Sequence, residues 1–203
     1  MRKIGMIFEC TQVGADLKVC TYLAERLSSD IEVISVPLTN KPTMISQCGA
    51  TVSILLQSCE SVIIIWDLNP PWNENRVLCR KKDCDAVRQS LLDAGLTNYQ
   101  LQKVHLVCIE QELEAWLLAD RRAIASFLHN VTHRECRVSS VKQPEHERNP
   151  KKHLSRILQQ HTGRPYIDRE HAEKIIKELP DFKKISRCKS FVRFKAKIMG
   201  DAT

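Results

Sequence analysis

Acidic side chains follow three apolar runs of this sequence. Glu9 ends the run at residues 3–9, Asp67 ends the run at 61–67, and several glutamates follow the run at 103–109. Because chemistry in an open α/β sheet gathers at the carboxyl ends of its strands, we expect these acids to share one edge. Grouped carboxylates repel one another unless a cation neutralises them, and such hard oxygen ligands suit Mg²⁺ or Mn²⁺. The predicted metal ligands are Glu9, Asp67, Asn69, Glu112 and Glu114. The predicted catalytic residues are Glu9, Asp67 and Glu112.

The stretch after the last apolar run has helical spacing and predicts a helix over Glu112–Leu128. Glu112, Trp116 and Asp120 lie four apart along one face, and the leucines between them form a buried face. Glu114 is rotated away from Glu112, so the pattern predicts that one of the two faces the site. Two simpler interpretations remain open, in which Glu112 only complements the helix dipole and Trp116 fills the core instead of stacking on a base.

Basic residues concentrate in the second half of the chain. Residues 1–120 carry 11 Lys and Arg against 15 Asp and Glu, whereas residues 121–203 carry 20 against 9. A basic surface beside an acidic site is typical of enzymes that act on nucleic acid. A solvated face without a partner, or a surface that docks an acidic protein, would show the same charge. The predicted nucleic-acid-binding residues are Arg76, Arg80, Lys151, Lys152, Arg156 and Arg193.

Four apolar or β-branched runs alternate with helical patterns and predict an α/β fold. The alternation favours a mostly parallel four-stranded sheet covered by helices on both sides, followed by a helical extension. The predicted strands are 3–9, 31–36, 61–67 and 103–109. The predicted helices besides Glu112–Leu128 are 15–28, 44–59, Asp83–Ala94, Lys151–Gln160, Asp168–Leu179 and Ser190–Met199. We expect an α/β domain at 1–128 and a basic, mainly helical extension at 129–203.

The cysteines indicate a reducing compartment. There are nine, they form no CxxC pair, and several lie inside apolar runs where a free thiol packs as a small hydrophobic group. The spacing of Cys79 and Cys84 is poor for zinc. No run of about 18 apolar residues is present, so we expect a cytoplasmic protein without a membrane span.

The acids resemble those of the TOPRIM domain of topoisomerases, primases and related nucleases. That family has a glutamate after its first strand and a D-x-D after its third, which match Glu9 and Asp67-Leu68-Asn69. Two positions depart from the pattern. Asn69 replaces the second acid, and the loop after Glu9 is longer than the usual glutamate–glycine turn. This leaves open whether Asp16 serves as the following acid.

A second resemblance covers nearly the whole chain. The sequence is similar to a bacterial TOPRIM-like family of unknown function with the signature Glu-Leu-Glu-Ala-Trp-Leu-Leu-Ala-Asp, which stands unbroken at Glu112–Asp120. Further matches lie at Asn149–Leu154, Tyr166 and Ser190–Phe194. The resemblance implies a TOPRIM-like fold and work beside an ATPase partner in bacterial defence.

The acids, the basic residues and the resemblance together predict a metal-dependent phosphodiesterase, most simply a nuclease acting on DNA or RNA. Asn69 favours an alternative, in which the chain is a catalytically weak or inactive module that binds nucleic acid or a partner. A small-molecule phosphohydrolase would require a closed pocket. Fold alone does not decide among the three.

Overall fold

A computed structural model describes residues 1–71 and 78–200 of the chain. Its centre is a four-stranded, all-parallel sheet in the order β2-β1-β3-β4. The strands are β1 (Arg2–Phe8), β2 (Ile31–Pro37), β3 (Ser61–Asp67) and β4 (Val104–Ile109). The four predicted strands and the α/β class are therefore confirmed.

Helices cover both faces of the sheet. Those of the first half are α1 (Ala15–Leu27), α2 (Lys41–Leu55), α3 (Arg80–Asp93) and the short α4 (Asn98–Leu101). Those of the second half are α5 (Glu114–Leu118), α6 (Arg121–Thr132), α7 (Pro150–Thr162), α8 (Asp168–Lys177) and α9 (Lys189–Met199). In the described part of the chain, no helix combines the length and the apolar character needed to cross a membrane.

The protein has one apolar layer on each face of the sheet, and strand β3 contributes side chains to both. Successive side chains of a strand point to opposite faces, and the residues of β3 are apolar on both. Ile63 and Ile65 contribute to the layer that holds α1 and the helices after β4. Ile64 and Trp66 contribute to the layer beneath α2 and α3. Both faces of the central strand are buried, as its continuous apolar run predicts.

The segment after β4 differs from the predicted single helix over Glu112–Leu128. The chain forms α5 and then α6, with Asp120 in an extended conformation between them. The Asp120 carboxylate accepts a hydrogen bond from the backbone N–H of Arg122 and pairs with the guanidinium of the same residue. Asp120 therefore caps the N-terminus of α6. Because its backbone is extended, α5 does not continue into α6.

The C-terminal helices pack into the main apolar layer. The indole N–H of Trp116 donates to the Ser190 hydroxyl at 2.7 Å, and the ring contacts Phe191 and Phe194. Trp116 is therefore a core residue, which agrees with the simpler of its two interpretations. The ranges 1–128 and 129–203 share this apolar layer.

Candidate functional site

Asp67 is the centre of an acidic cluster at the carboxyl edge of the sheet. It ends β3, and its Oδ1 is buried without a hydrogen-bond partner in the part of the chain that the structure describes. Burial raises the pKa of Asp67 well above its usual range, and the charges of Asp16, Glu9 and Glu114 raise it further. A buried carboxylate oxygen without a donor is expensive to keep, so this atom is suited to a proton or a cation.

Glu9 comes from the end of β1 and lies against the end of β3. The backbone N–H of Asp67 donates to Glu9 Oε1 at 2.7 Å. Burial raises the pKa of Glu9 to about 8, although the nearby Lys41 opposes the shift. The predicted meeting of Glu9 and Asp67 at one edge is confirmed, and Glu9 can hold a proton near neutral pH.

Lys41 is a buried lysine beneath this edge, and only 5% of it is exposed. Its ammonium donates to the backbone carbonyls of Pro70 at 2.9 Å and Leu68 at 3.2 Å. It also lies 3.6 Å from Asp83 Oδ2, an oxygen that accepts a hydrogen bond from the indole of Trp66. Sequence reasoning missed Lys41 and Asp83, because both lie in helical segments whose pattern marks neither as buried.

Asp16 joins the cluster from the first turn of α1. Burial raises its pKa to about 6. The preceding turn depends on Gly14, whose N–H donates to the carbonyl of Thr11 at 2.8 Å. A Cβ at Gly14 would stand 2.5 Å from side-chain atoms of Cys10, so the turn excludes larger residues. The sequence left Asp16 open, and the structure brings it to the other acids.

The charge of Glu114 acts on Asp67, whereas Glu112 lies against the side chain of Asn69. Helix α5 begins at Glu114, so Glu112 lies before the helix and helical rotation does not separate the two. Burial raises the pKa of Glu114 to about 7. Glu112 accepts from the Asn69 side-chain amide and from the backbone N–H of Lys151, each at 3.2 Å. The Asn69 amide nitrogen therefore holds Glu112 in place.

The acids are neighbours without forming a complete coordination shell. Among the described residues, no three His, Cys, Asp or Glu side chains are arranged to hold a metal ion. The free Oδ1 of Asp67 and the repulsion among the surrounding carboxylates nevertheless fit a hydrated divalent cation. Mg²⁺ commonly keeps several waters and uses only one or two carboxylates.

Two of the predicted nucleic-acid-binding arginines pair with an acid at the end of β4. Arg80 contacts Glu110 Oε1 at 3.0 Å, and Arg193 contacts the same oxygen at 2.9 Å. Arg193 also donates to the carbonyl of Cys108. Arg76 lies outside the described residues. The two described arginines thus neutralise Glu110 and do not stand alone on the surface.

Helix α7 carries the other predicted basic residues. The ammonium of Lys151 pairs with Asp168 Oδ2 at 2.6 Å, whereas Lys152 and Arg156 are exposed one helical turn apart. A pocket of about 330 Å³ lies between the start of α7 and Glu112. It is lined by Glu112, Asn149, Lys151, Lys152, Ser155 and Tyr166.

Comparison with known proteins places most of the chain in a single family. The model of a domain of unknown function (DUF4276) matches residues 18–198, which include Asp67, Glu112 and Glu114 and begin after Glu9 and Asp16. Neither the curated proteins nor the solved structures contain a match to the chain. Because the matched region spans most of the sequence, the chain belongs to the DUF4276 family.

Proposed function

We propose that this chain is a divalent-cation-dependent phosphodiesterase that cleaves nucleic acid. The observation that carries the proposal is the buried Oδ1 of Asp67, which has no hydrogen-bond partner among the described residues and lies near the charges of Asp16, Glu9 and Glu114. The resemblance of Glu9 and Asp67-x-Asn69 to the TOPRIM pattern supports the same activity.

The burial and the contacts of each acidic side chain indicate its role in the proposed reaction. Asp67 has the free oxygen and would be the primary ligand of the cation, and Asp16 and Glu114 would add negative charge around it. When bound, Mg²⁺ or Mn²⁺ polarises a phosphate and lowers the pKa of an attacking water. Glu9, whose pKa is about 8, would accept the proton of an attacking water in its ionised form, and the fraction of this form increases as the pH rises toward 8. Asn69 orients Glu112 through its amide.

The exposed face of α7 supports nucleic acid as the substrate. Lys152 and Arg156 lie on the same side of the helix, and Lys152 lines the pocket that leads to Glu112. Phosphates held by these two residues would bring the adjacent linkage to the acids. The binding of a polyanion by such residues weakens steeply with salt, because it releases condensed counterions.

A cleavage assay tests this function directly. The chain is incubated with single- and double-stranded DNA and RNA, in Mg²⁺, in Mn²⁺ and in EDTA. We expect cleavage with either cation, none in EDTA, and a loss of at least about 100-fold for Asp67→Asn, since one catalytic group contributes 10²–10⁴-fold. Asp85→Asn, at an exposed aspartate of α3, is the matched control. Cleavage that survives EDTA or Asp67→Asn would refute the proposal.

One observation favours a second function. Asn69, which replaces the second acid of the TOPRIM pattern, donates its amide to Glu112. A site with one fewer acid suits a module that binds nucleic acid and leaves chemistry to a partner such as an ATPase. Salt-dependent binding without cleavage under any of the cation conditions would support this alternative.

A further inference from the structure

The ammonium of Lys41 is surrounded by oxygen atoms. Two backbone carbonyls, of Pro70 and Leu68, lie at 2.9 and 3.2 Å. Two carboxylates complete the environment, with Asp83 Oδ2 at 3.6 Å and Glu9 Oε2 at 3.9 Å. An ammonium has three N–H donors and no acceptor. This set of oxygens therefore suits a fixed cation.

The place of Lys41 in the chain makes this charge unusual. It is the first residue of α2, directly after the cap Asn40, whose side chain accepts from the N–H of Thr43. A helix N-terminus carries partial positive charge, which disfavours a cation there. Burial disfavours it as well. The four oxygens around the ammonium compensate the unfavourable effects of the helix dipole and of burial. Lys41 is therefore held by contacts to the site, and its charge does not stabilise α2.

Glu9 connects this lysine to the acidic cluster. Its Oε2 faces the Lys41 ammonium, and its Oε1 accepts from the backbone N–H of Asp67. Lys41 thus compensates the negative charge of Glu9 and Asp83 when these carboxyls are ionised. Among the described residues, Oδ1 of Asp67 is the carboxylate oxygen of this edge that is buried without a hydrogen-bond partner. The chain therefore supplies one positive charge here, and Oδ1 of Asp67 is available to bind one cation.

We propose that the site binds a single divalent cation beside Asp67, and that the Lys41 ammonium takes the place of a second one. This inference rests on the proposed function, because it concerns the same cation. Two-metal enzymes of phosphoryl transfer hold two cations close together, and both neutralise the carboxylates between them. Here Lys41 is a positioning residue that supplies one of the two charges permanently.

Mn²⁺ stoichiometry tests the inference without any substrate. The full chain is titrated with Mn²⁺, and free Mn²⁺ is measured by electron paramagnetic resonance. We expect one Mn²⁺ per chain for the parent and for Lys41→Arg, which keeps the charge. Lys41→Ala removes the charge and leaves space among four oxygens, so we expect a second, weaker Mn²⁺ to bind. Lys183→Ala, at an exposed lysine between α8 and α9, is the control and should bind one.

The outcomes distinguish a failure of the inference about Lys41 from a failure of the proposed function. No Mn²⁺ bound by the parent would refute the proposed metal site itself. Two Mn²⁺ bound by the parent would refute the role of Lys41 but would be consistent with the proposed metal site. This outcome is measured on the parent protein alone. One Mn²⁺ bound by a folded Lys41→Ala protein would also refute that role. Anomalous scattering from Mn²⁺-soaked crystals provides a second measurement, with one peak expected beside Asp67 and none at the Lys41 position.

Discussion

Burial raises the pKa of the Asp67 carboxyl and so favours its neutral form in the absence of a cation, and this has a measurable consequence. Asp67→Asn is nearly isosteric and introduces no buried charge, so the metal-free protein should keep its Tm within about 3 °C. The rise in Tm that saturating Mn²⁺ gives the parent should disappear, because a ligand that binds only the folded state stabilises it by mass action. Thermal unfolding with and without Mn²⁺ measures both quantities. An undiminished Mn²⁺ shift in Asp67→Asn would place the cation elsewhere.

The hydroxyl of Tyr166 is buried beside the carboxyl of Glu114. Burial raises the pKa of Tyr166 well above the usual range, and a hydrogen bond to Glu114 raises it further. A hydrogen bond of this kind contributes about 1 kcal/mol, so Tyr166→Phe should lower the free energy of unfolding by about that amount. Urea unfolding measures the change, with Tyr99→Phe at an exposed tyrosine as the control. A Tyr166→Phe protein as stable as the parent would mean that the hydroxyl has no partner.

At the level of helices, α9 depends on a cap that comes from a distant segment. Glu145 accepts from the backbone N–H groups of Lys189 at 2.6 Å and Ser190 at 2.8 Å, and from the Ser190 hydroxyl. The helix has no cap from its own preceding residue. Glu145→Ala should therefore destabilise the protein by about 2–3 kcal/mol, since three hydrogen bonds to a charged group are lost. Urea unfolding measures this, and Glu135→Ala, at an exposed glutamate, should change stability by less than about 0.5 kcal/mol.

Helix α7 is expected to carry the contacts to phosphate. Reversing Lys152 and Arg156 to Glu should weaken the binding of a labelled oligonucleotide at least about 10-fold at about 0.1 M salt. The log–log salt slope should fall by about 1.4 to 1.8 if two phosphate contacts are lost. Lys151 is left unchanged, because its charge acts on Asp16 and Glu114 and its reversal would disturb the acidic cluster.

The matched control for this experiment reverses Lys183 and Lys184, two exposed neighbours between α8 and α9. The change in net charge is the same, so the comparison separates a local surface from a general effect of charge. We expect less than about a two-fold change in affinity for the control. Equal weakening in the two double variants, measured by fluorescence anisotropy, would contradict a binding face on α7.

For the whole molecule, the acidic cluster makes stability depend on pH. The pKa values of Asp16, Glu114 and Glu9 are raised to about 6, 7 and 8. The folded state therefore keeps protons that the unfolded state has already released, and its stability falls as pH rises through these values. Between about pH 6.5 and 8.5, the Tm of the EDTA-treated protein should fall by at least about 5 °C.

Mn²⁺ should reverse this loss, because the cation replaces the protons that leave the cluster. The increase in Tm at saturating Mn²⁺ should be larger at pH 8.5 than at pH 6.5, where protons compete with it. Differential scanning fluorimetry over this range checks both statements. A Tm that is independent of pH without metal, or an equal Mn²⁺ shift at the two pH values, would contradict the linkage.

The sequence by itself was enough for the sheet and for two of its acids. The run Ser61–Asp67 has apolar residues on both faces, and its composition therefore predicts that both sides of the strand are buried. Glu9 and Asp67 could be paired in advance, because parallel strands bring their carboxyl ends to one edge. The break at Asp120 was missed, since a single aspartate interrupts an otherwise helical pattern and the pattern does not show whether it caps a new helix.

Only the tertiary structure decided which other groups meet these acids. Lys41, Asp16 and Tyr166 come from three separate segments, and their neighbours are set by how α1, α2 and the loop before α8 pack on the sheet edge. Local patterns report the period with which residues are buried, and they carry no information about partners that lie tens of positions away in the sequence. The raised pKa values of the cluster follow from burial that packing alone creates. The sequence therefore predicted where an acidic site would form, and the tertiary structure determined its members and their charges.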